Sequence, residues 1–198
     1  MFGLPVESLL NFAQNYAALG GQIAVRQRRG YRTESWTYQQ IAEGANRVAR
    51  ELELRGIAKG DAVLLRGESS AEWIAAFLGC MLRGVVVVPI DHASPEEFAH
   101  RVAQEVKAKL IFRENDRKNW GTIPVIPLES LFAITAQHDS SGYPSPPHTR
   151  QDPLEIIFTS GTTAEPRGVV ISHGNVLANI EPLQTEIQKY LRYLCWLH

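Results

Sequence analysis

The sequence predicts an α/β fold, a mainly parallel β-α-β layered sheet, and three observations carry that prediction. Short apolar runs at 62–65, 85–88 and 110–112 read as buried strands. Amphipathic segments of helical period stand between them and open on capping residues. The composition is that of an ordinary soluble protein, and 198 residues at 44% hydrophobic suffice to bury about 70% of the unfolded surface. Two β-α-β units in succession, with right-handed crossovers, place helices on both faces of the sheet.

From 23 to 36 the chain alternates in the manner of two short strands, and Gly30 is the turn former between them, so a hairpin is expected. Arg26, Arg28, Arg29 and Arg32 beside Tyr31 have the composition of an RNA contact, but at a net charge of -1 a solvated strand face is the better reading. Thr37 and Gln40 form a capping box, and Ile41, Ala45, Val48, Ala49 and Leu52 repeat at helical spacing until Gly56 ends the run. Ser70 is the expected N-cap of a helix that turns Ile74, Phe77, Leu78, Met81 and Leu82 inward, ahead of the strand Val85, Val86, Val87 and Val88. Ser94, Pro95 and Glu97 combine a capping box with proline at the first helical position, and the helix carries Phe98, Val102 and Val106 toward the strand at 110–112.

The stretch 139–147 reads DSSGYPSPP, which forms no regular element and suits a surface connection. It divides the chain into an N-terminal α/β subdomain over 1–135, a Pro/Ser-rich connection over 136–153 and the start of a next subdomain over 154–198. In that last part, strands at 154–158 and 169–171 flank a loop, and Ser172 or Asn175 caps the helix that follows. Ile187, Tyr190, Leu191, Leu194 and Leu197 then form an apolar stripe at helical spacing.

Several classes are excluded. With 20 Lys+Arg against 21 Asp+Glu there is no global field to draw the chain onto nucleic acid or an anionic membrane. The 18 residues 73–90 hold one charge, Arg83, but Gly84 and Pro89 divide them into a helix and a buried strand, so no transmembrane span is expected. A signal peptide lacks its basic n-region, since Arg26 is the first cation. Cys80 and Cys195 are far apart and show no metal spacing, which fits a reducing cytoplasm. The six histidines, among them His92, His100, His138, His148 and His173, show no ligand spacing, and His173 is expected to open the last helix beside the loop. Glu96 and Glu97 suit the positive end of a helix rather than an acid/base pair.

The loop 159–168 is chemically the richest segment. Thr159, Ser160, Thr162 and Thr163 supply four hydroxyls, Gly161 and Gly168 two glycines, and Arg167 one cation. Backbone N–H groups in a concave nest, hydroxyl donors and a fixed positive charge together suit several phosphate oxygens. The loop is not a Walker motif, because Pro166 stands where the second glycine belongs and Val169 and Val170 predict a strand after it. No GxGxxG follows the first strand of the sheet either.

Residues 158–168, FTSGTTAEPRG, resemble the signature loop of the adenylate-forming superfamily, which comprises acyl-CoA synthetases, luciferases and peptide-synthetase adenylation domains. TYQQI at 37–41, LRGVVVVPID at 82–91, and Ser172, His173 and Asn175 resemble further elements of that family in order and spacing. The resemblance implies that Thr159, Ser160, Gly161, Thr162, Thr163, Arg167 and Gly168 bind the β and γ phosphates of ATP and the departing pyrophosphate. Arg167 stands where the family has lysine, which keeps the charge on a planar fork, and Ala164 replaces a glycine, which restricts the backbone there.

By the same resemblance the cofactors are ATP, Mg2+ and CoA as second substrate, and the substrate is a carboxylic, fatty-type acid. The family's adenine and magnesium segment, ribose-binding aspartate, hinge and catalytic lysine have no counterpart in these 198 residues, so no catalytic or metal-binding residue is assigned. The expectation is the N-terminal, incomplete part of an acyl-activating ligase, inactive alone. The alternative is a non-catalytic fragment or paralogue acting as a protein-interaction module. Either reading permits a homodimer through exposed apolar surface.

Overall fold

The structure, a computed structural model, describes residues 8–11, 18–114, 120–159 and 166–180. Gly30, at a φ of 57°, turns strand β1 (Ile23–Arg29) back on β2 (Arg32–Thr37) as an antiparallel hairpin. Helix α1 (Tyr38–Leu54) begins on the expected capping box: Gln40 N–H donates to Thr37 Oγ1 at 3.2 Å and Thr37 N–H donates to Gln40 Oε1 at 2.8 Å. All five of its repeating apolar residues are buried.

The sheet follows from β3 (Ala62–Arg66), α2 (Ala71–Arg83), β4 (Val86–Ile90), α3 (Glu96–Glu105), β5 (Leu110–Arg113) and β6 (Val125–Pro127), then α4 (Leu131–Thr135), β7 (Pro153–Thr159), β8 (Arg167–Ser172) and α5 (His173–Ile180). Its strand order is β6-β5-β3-β4-β7-β8, parallel except for the antiparallel β7–β8 pair. From β3 the chain crosses to β4 on one side and then back over β3 to β5 on the other. Val63, Leu65, Val87, Leu110 and Phe112 pack with α1 and α2, whereas Leu64, Val88, Ile90 and Ile111 pack with α3. Crossings in opposite directions with helices on opposite faces are what two crossovers of one hand require.

Two helices differ from expectation. On α2, Ser70 caps as predicted, its Oγ accepting from Trp73 N–H at 3.1 Å, and Met81 and Leu82 are buried as expected, but Ile74, Phe77 and Leu78 are half-buried and Ala75, Ala76, Gly79 and Cys80 take the tightest contact. The reason is close packing on α1, since a Cβ at Gly79 would stand 2.5 Å from Val48 Cγ1. On α3 the N-cap is Pro95 with no side-chain cap bond. The helix starts one residue later than expected, with Pro95 rather than Ser94 at the N-cap, so the expected box of Ser94 with Glu97 is not formed.

The run 73–90 divides as expected, α2 closing on left-handed Gly84 at a φ of 77° ahead of β4. The connection 139–147 has no regular element but is tied down: Asn46 and Arg50 of α1 donate to the carbonyls of Ser140 and Ser141, Arg83 donates to Tyr143 Oη, and Lys59 donates to the Pro147 carbonyl. The strand β6 and the turn leading to α4 were not foreseen. The stripe at 187–197, and with it Cys195, lies outside the described residues.

Candidate functional site

Because β3, β4, β5 and β7 are parallel, their carboxyl ends share one edge of the sheet, the edge at which open α/β sheets bind ligands. The segment rich in hydroxyls leaves β7 at that edge and returns as β8. Thr159 and Arg167 are cross-strand partners, so the two ends of the loop are pinned opposite each other. Val87 stands beside Glu155 in the β4–β7 pair, and Ile90 and Phe158 belong to one apolar cluster. Asp91 then shapes the exit from β4, its Oδ1 accepting from Ala93 N–H at 2.9 Å.

Of the seven residues assigned to phosphate, the backbone of Thr159 and the whole of Arg167 and Gly168 are described. Ser160, Gly161, Thr162 and Thr163, with Ala164, lie outside the described residues. Arg167 is exposed and makes no ion pair among the described residues. A cation in that position keeps all five N–H donors for a ligand. Gly168 has a packing reason of its own: a Cβ there would stand 2.8 Å from both Ile156 Cγ2 and Phe158 Cζ, so the Phe158 ring crosses the β7–β8 ladder only over a glycine.

The crossover geometry puts a switch point between β3 and β5, and charged residues fill it. Arg66 and Arg113 are cross-strand partners at the ends of those two strands. Glu96, at the start of α3, bridges them, with Oε2 2.5 Å from Arg66 Nη1 and Oε1 2.6 Å from Arg113 Nη1. Burial opposes the charge on Glu96, but the hydrogen bonds from Arg113 and Arg66 outweigh it and hold the carboxyl below its ordinary range. Arg66 also donates to the carbonyls of His92 and Ser94. Arg113 lies 5.0 Å over the Trp120 ring, which stacks on His100 at 3.9 Å. Sequence reasoning placed Glu96 at a helix start and missed this triplet. The signal was present, since AVLLR and LIFR each end an apolar strand on arginine.

His173 opens α5 as expected and is buried, with Nδ1 accepting from the Leu9 N–H at 3.2 Å. Burial and, next, the neighbouring His148 lower its pKa to about 4. Ser172 and Asn175 share the capping: Asn175 N–H donates to Ser172 Oγ, and Ser172 N–H donates to Asn175 Oδ1. The basic hairpin cluster is partly neutralised, Arg29 pairing with buried Glu72 at 2.6 Å. Among the described residues no group of three metal-ligating side chains occurs, and no helix is long and apolar enough to cross a membrane.

Comparison with known proteins bears on this edge. The nonribosomal peptide synthetase-like enzyme fsqF of Aspergillus fumigatus is 35% identical over 144 residues, covering 71% of this chain and 10% of the relative. The fatty acid (acyl-carrier-protein) ligase ScoC of Streptomyces coeruleorubidus is 30% identical, covering 76% of this chain and 30% of that protein. The fatty acyl-adenylate ligase of Legionella pneumophila, solved with acyl adenylate and pyrophosphate, has a TM-score of 0.77 at 28% identity and covers 92% of this chain and 33% of its own. The chain thus spans a tenth or less of the first curated relatives and a third of that ligase. The model of the family described as AMP-binding enzyme matches residues 12–198, and the chain belongs to that family of adenylate-forming enzymes.

Proposed function

We propose that the chain is the phosphate-binding, N-terminal part of an ATP-dependent acyl-activating ligase. In the whole reaction a carboxylate oxygen attacks the α phosphorus of ATP, the bond to the β-phosphate oxygen breaks, and acyl-AMP and pyrophosphate result. A thiol then displaces AMP to give a thioester. CoA is the proposed acceptor, and the name of ScoC supports a carrier-protein thiol as a second candidate. A fatty-type acid is the proposed substrate, on the strength of the fatty acid ligases among the relatives.

The observation that carries this reading is the pinning of Thr159 opposite Arg167 at the carboxyl edge. It supports assigning the segment between them to the β and γ phosphates, with Thr159, Ser160, Gly161, Thr162 and Thr163 as donors, Arg167 as the cation, and Gly168 as the residue that sets the hairpin. Such donors stabilise charge gathering on the leaving pyrophosphate, one donor being worth about 3 kcal/mol of barrier in sites of this type. Mg2+ would shield the same phosphates. The division into 1–135, 136–153 and 154–198 remains part of the proposal, with cytoplasmic location and inactivity of the piece alone.

Calorimetric titration with Mg-ATP, pyrophosphate and AMP tests the reading. Saturable binding of ATP or pyrophosphate that falls about tenfold or more in Arg167→Ala and Thr163→Val is the expected result. Equal affinity in both variants overturns the phosphate assignment. Carboxylate-dependent exchange of pyrophosphate into ATP should stay at the uncatalysed level. The second reading, an interaction module, draws on the exposed Val169 and Val170 of β8 and predicts association without nucleotide dependence.

A further inference from the structure

We propose that His173 is an acid-sensitive clasp, holding Leu9 and Leu10 against the start of α5 and releasing them when its ring takes up a proton. The clasp is a single buried hydrogen bond that joins segments 164 residues apart, from the Leu9 N–H to His173 Nδ1. A backbone N–H only donates, so Nδ1 must be bare and the ring's one proton must sit on Nε2. An imidazolium has no lone pair at either nitrogen. Protonation therefore removes the bond and sets two donors against each other in a buried place.

The surroundings keep the ring neutral until the clasp opens. From the connection before β7, His148 meets it edge-on at 5.3 Å and an interplanar angle of 72°. His148 Nδ1 lies 2.5 Å from the Pro146 carbonyl, which fixes its proton there, and its buried Nε2 has no hydrogen-bond partner among the described residues. From the turn before β3, Lys59 Nζ binds Asp152 Oδ2 at 2.7 Å and the Pro147 carbonyl at 2.7 Å. Asp152 Oδ2 also accepts from Thr149 N–H, so the carboxylate beside the two histidines is already engaged. Ser8 on the N-terminal side and Ser172 and Asn175 on α5 bring hydroxyl and amide groups without charge.

Burial lowers His148 as it lowers His173, and a charge on either ring opposes one on the other. Once the clasp opens, His173 returns toward its ordinary value of 6.5 from about 4. The open form then binds more protons than the closed one, so opening gains about tenfold per pH unit across that interval. Opening also uncovers Leu177, Leu154 and Met81, against which Leu9 and Leu10 pack.

Hydrogen exchange of the 198-residue protein, followed by mass spectrometry over residues 8–11 and corrected for the intrinsic rate, tests this. In the wild-type chain, protection should fall tenfold or more between pH 7 and pH 5 while β3 and β5 stay protected. His173→Asn, which keeps an acceptor oxygen and cannot titrate, should hold its protection flat over that range. His173→Phe should lack protection at both values. Wild-type protection that does not change with pH, or that is lost only together with the sheet, overturns the clasp. Those two outcomes decide the matter even if His173→Phe does not fold.

Discussion

Arg66 and Arg113 face each other at the ends of adjacent strands, an arrangement that two guanidiniums in a dry place would oppose. Their side chains are 9% and 5% exposed, and Glu96 is the carboxylate that lies between them. Breaking such a pair from one side costs more than the pair contributes, because two buried guanidiniums lose the carboxylate between them. Glu96→Ala should therefore lower unfolding stability by about 3 kcal/mol, read as a lower urea midpoint at unchanged slope. A loss under about 0.5 kcal/mol, the scale of an ordinary surface substitution, would remove the triplet from the stability account. The sign with pH follows from the lowered carboxyl. The folded state holds this proton less readily than the unfolded one, so the stabilisation is complete above the ordinary carboxylate range and is lost as pH falls through the lower folded value.

At the scale of elements, the α1–α2 contact depends on what is absent from one position. A Cβ on Gly79 would lie 2.5 Å from Val48 Cγ1 and 2.9 Å from the Ala45 carbonyl oxygen. Val48 Cβ, at 2.6 Å, cannot rotate away, and the carbonyl belongs to helix backbone. Gly79→Ala gains up to about 1 kcal/mol of helix propensity and should still come out destabilising by about 1–3 kcal/mol through overpacking. Val48→Ala in the same chain should recover part of the loss, and a double-mutant cycle in urea measures the coupling. Additivity within error would show that the two side chains do not compete. This helix also shows where the sequence was legible and where it was not. The helix, its Ser70 cap and its Gly84 stop were read from local chemistry, which one segment carries by itself. Its buried face was legible in part: Met81 and Leu82 are buried as expected, but Ile74, Phe77 and Leu78 are half-buried, because alanine and glycine take the tightest contact. The Ser94 box is not formed because the helix starts from Pro95, and the contacts of Arg66 and Arg113 with the Ser94 carbonyl and Glu96 come from β3 and β5, distant in sequence. The loop motif was legible as chemistry, but the strands expected at 154–158 and 169–171 stop short of Thr159 and Arg167, which the structure pairs as strand residues.

For the molecule as a whole, the sheet is covered unequally. Its central strands are buried on both faces, as parallel strands require. On the β7–β8 hairpin, Ile157 is 40%, Val169 53% and Val170 56% exposed. Neighbours along a strand point to opposite faces, so Val169 and Val170 bring apolar side chains into solvent on both sides. The outer edge of β8 adds a row of backbone donors and acceptors that no described strand takes. Natural edges carry charge, proline or a bulge for protection, and RGVVIS has only its first residue of that kind. The expected consequence for these 198 residues in solution is self-association through β8, growing with concentration and indifferent to ATP. Val169→Lys with Val170→Lys should return the chain to monomer by putting an ammonium on each exposed face, with the circular dichroism spectrum unchanged. Sedimentation velocity across a concentration series reads the result. A wild-type chain that is monomeric throughout, or a double lysine variant that associates as strongly as wild type, would move the interface away from β8.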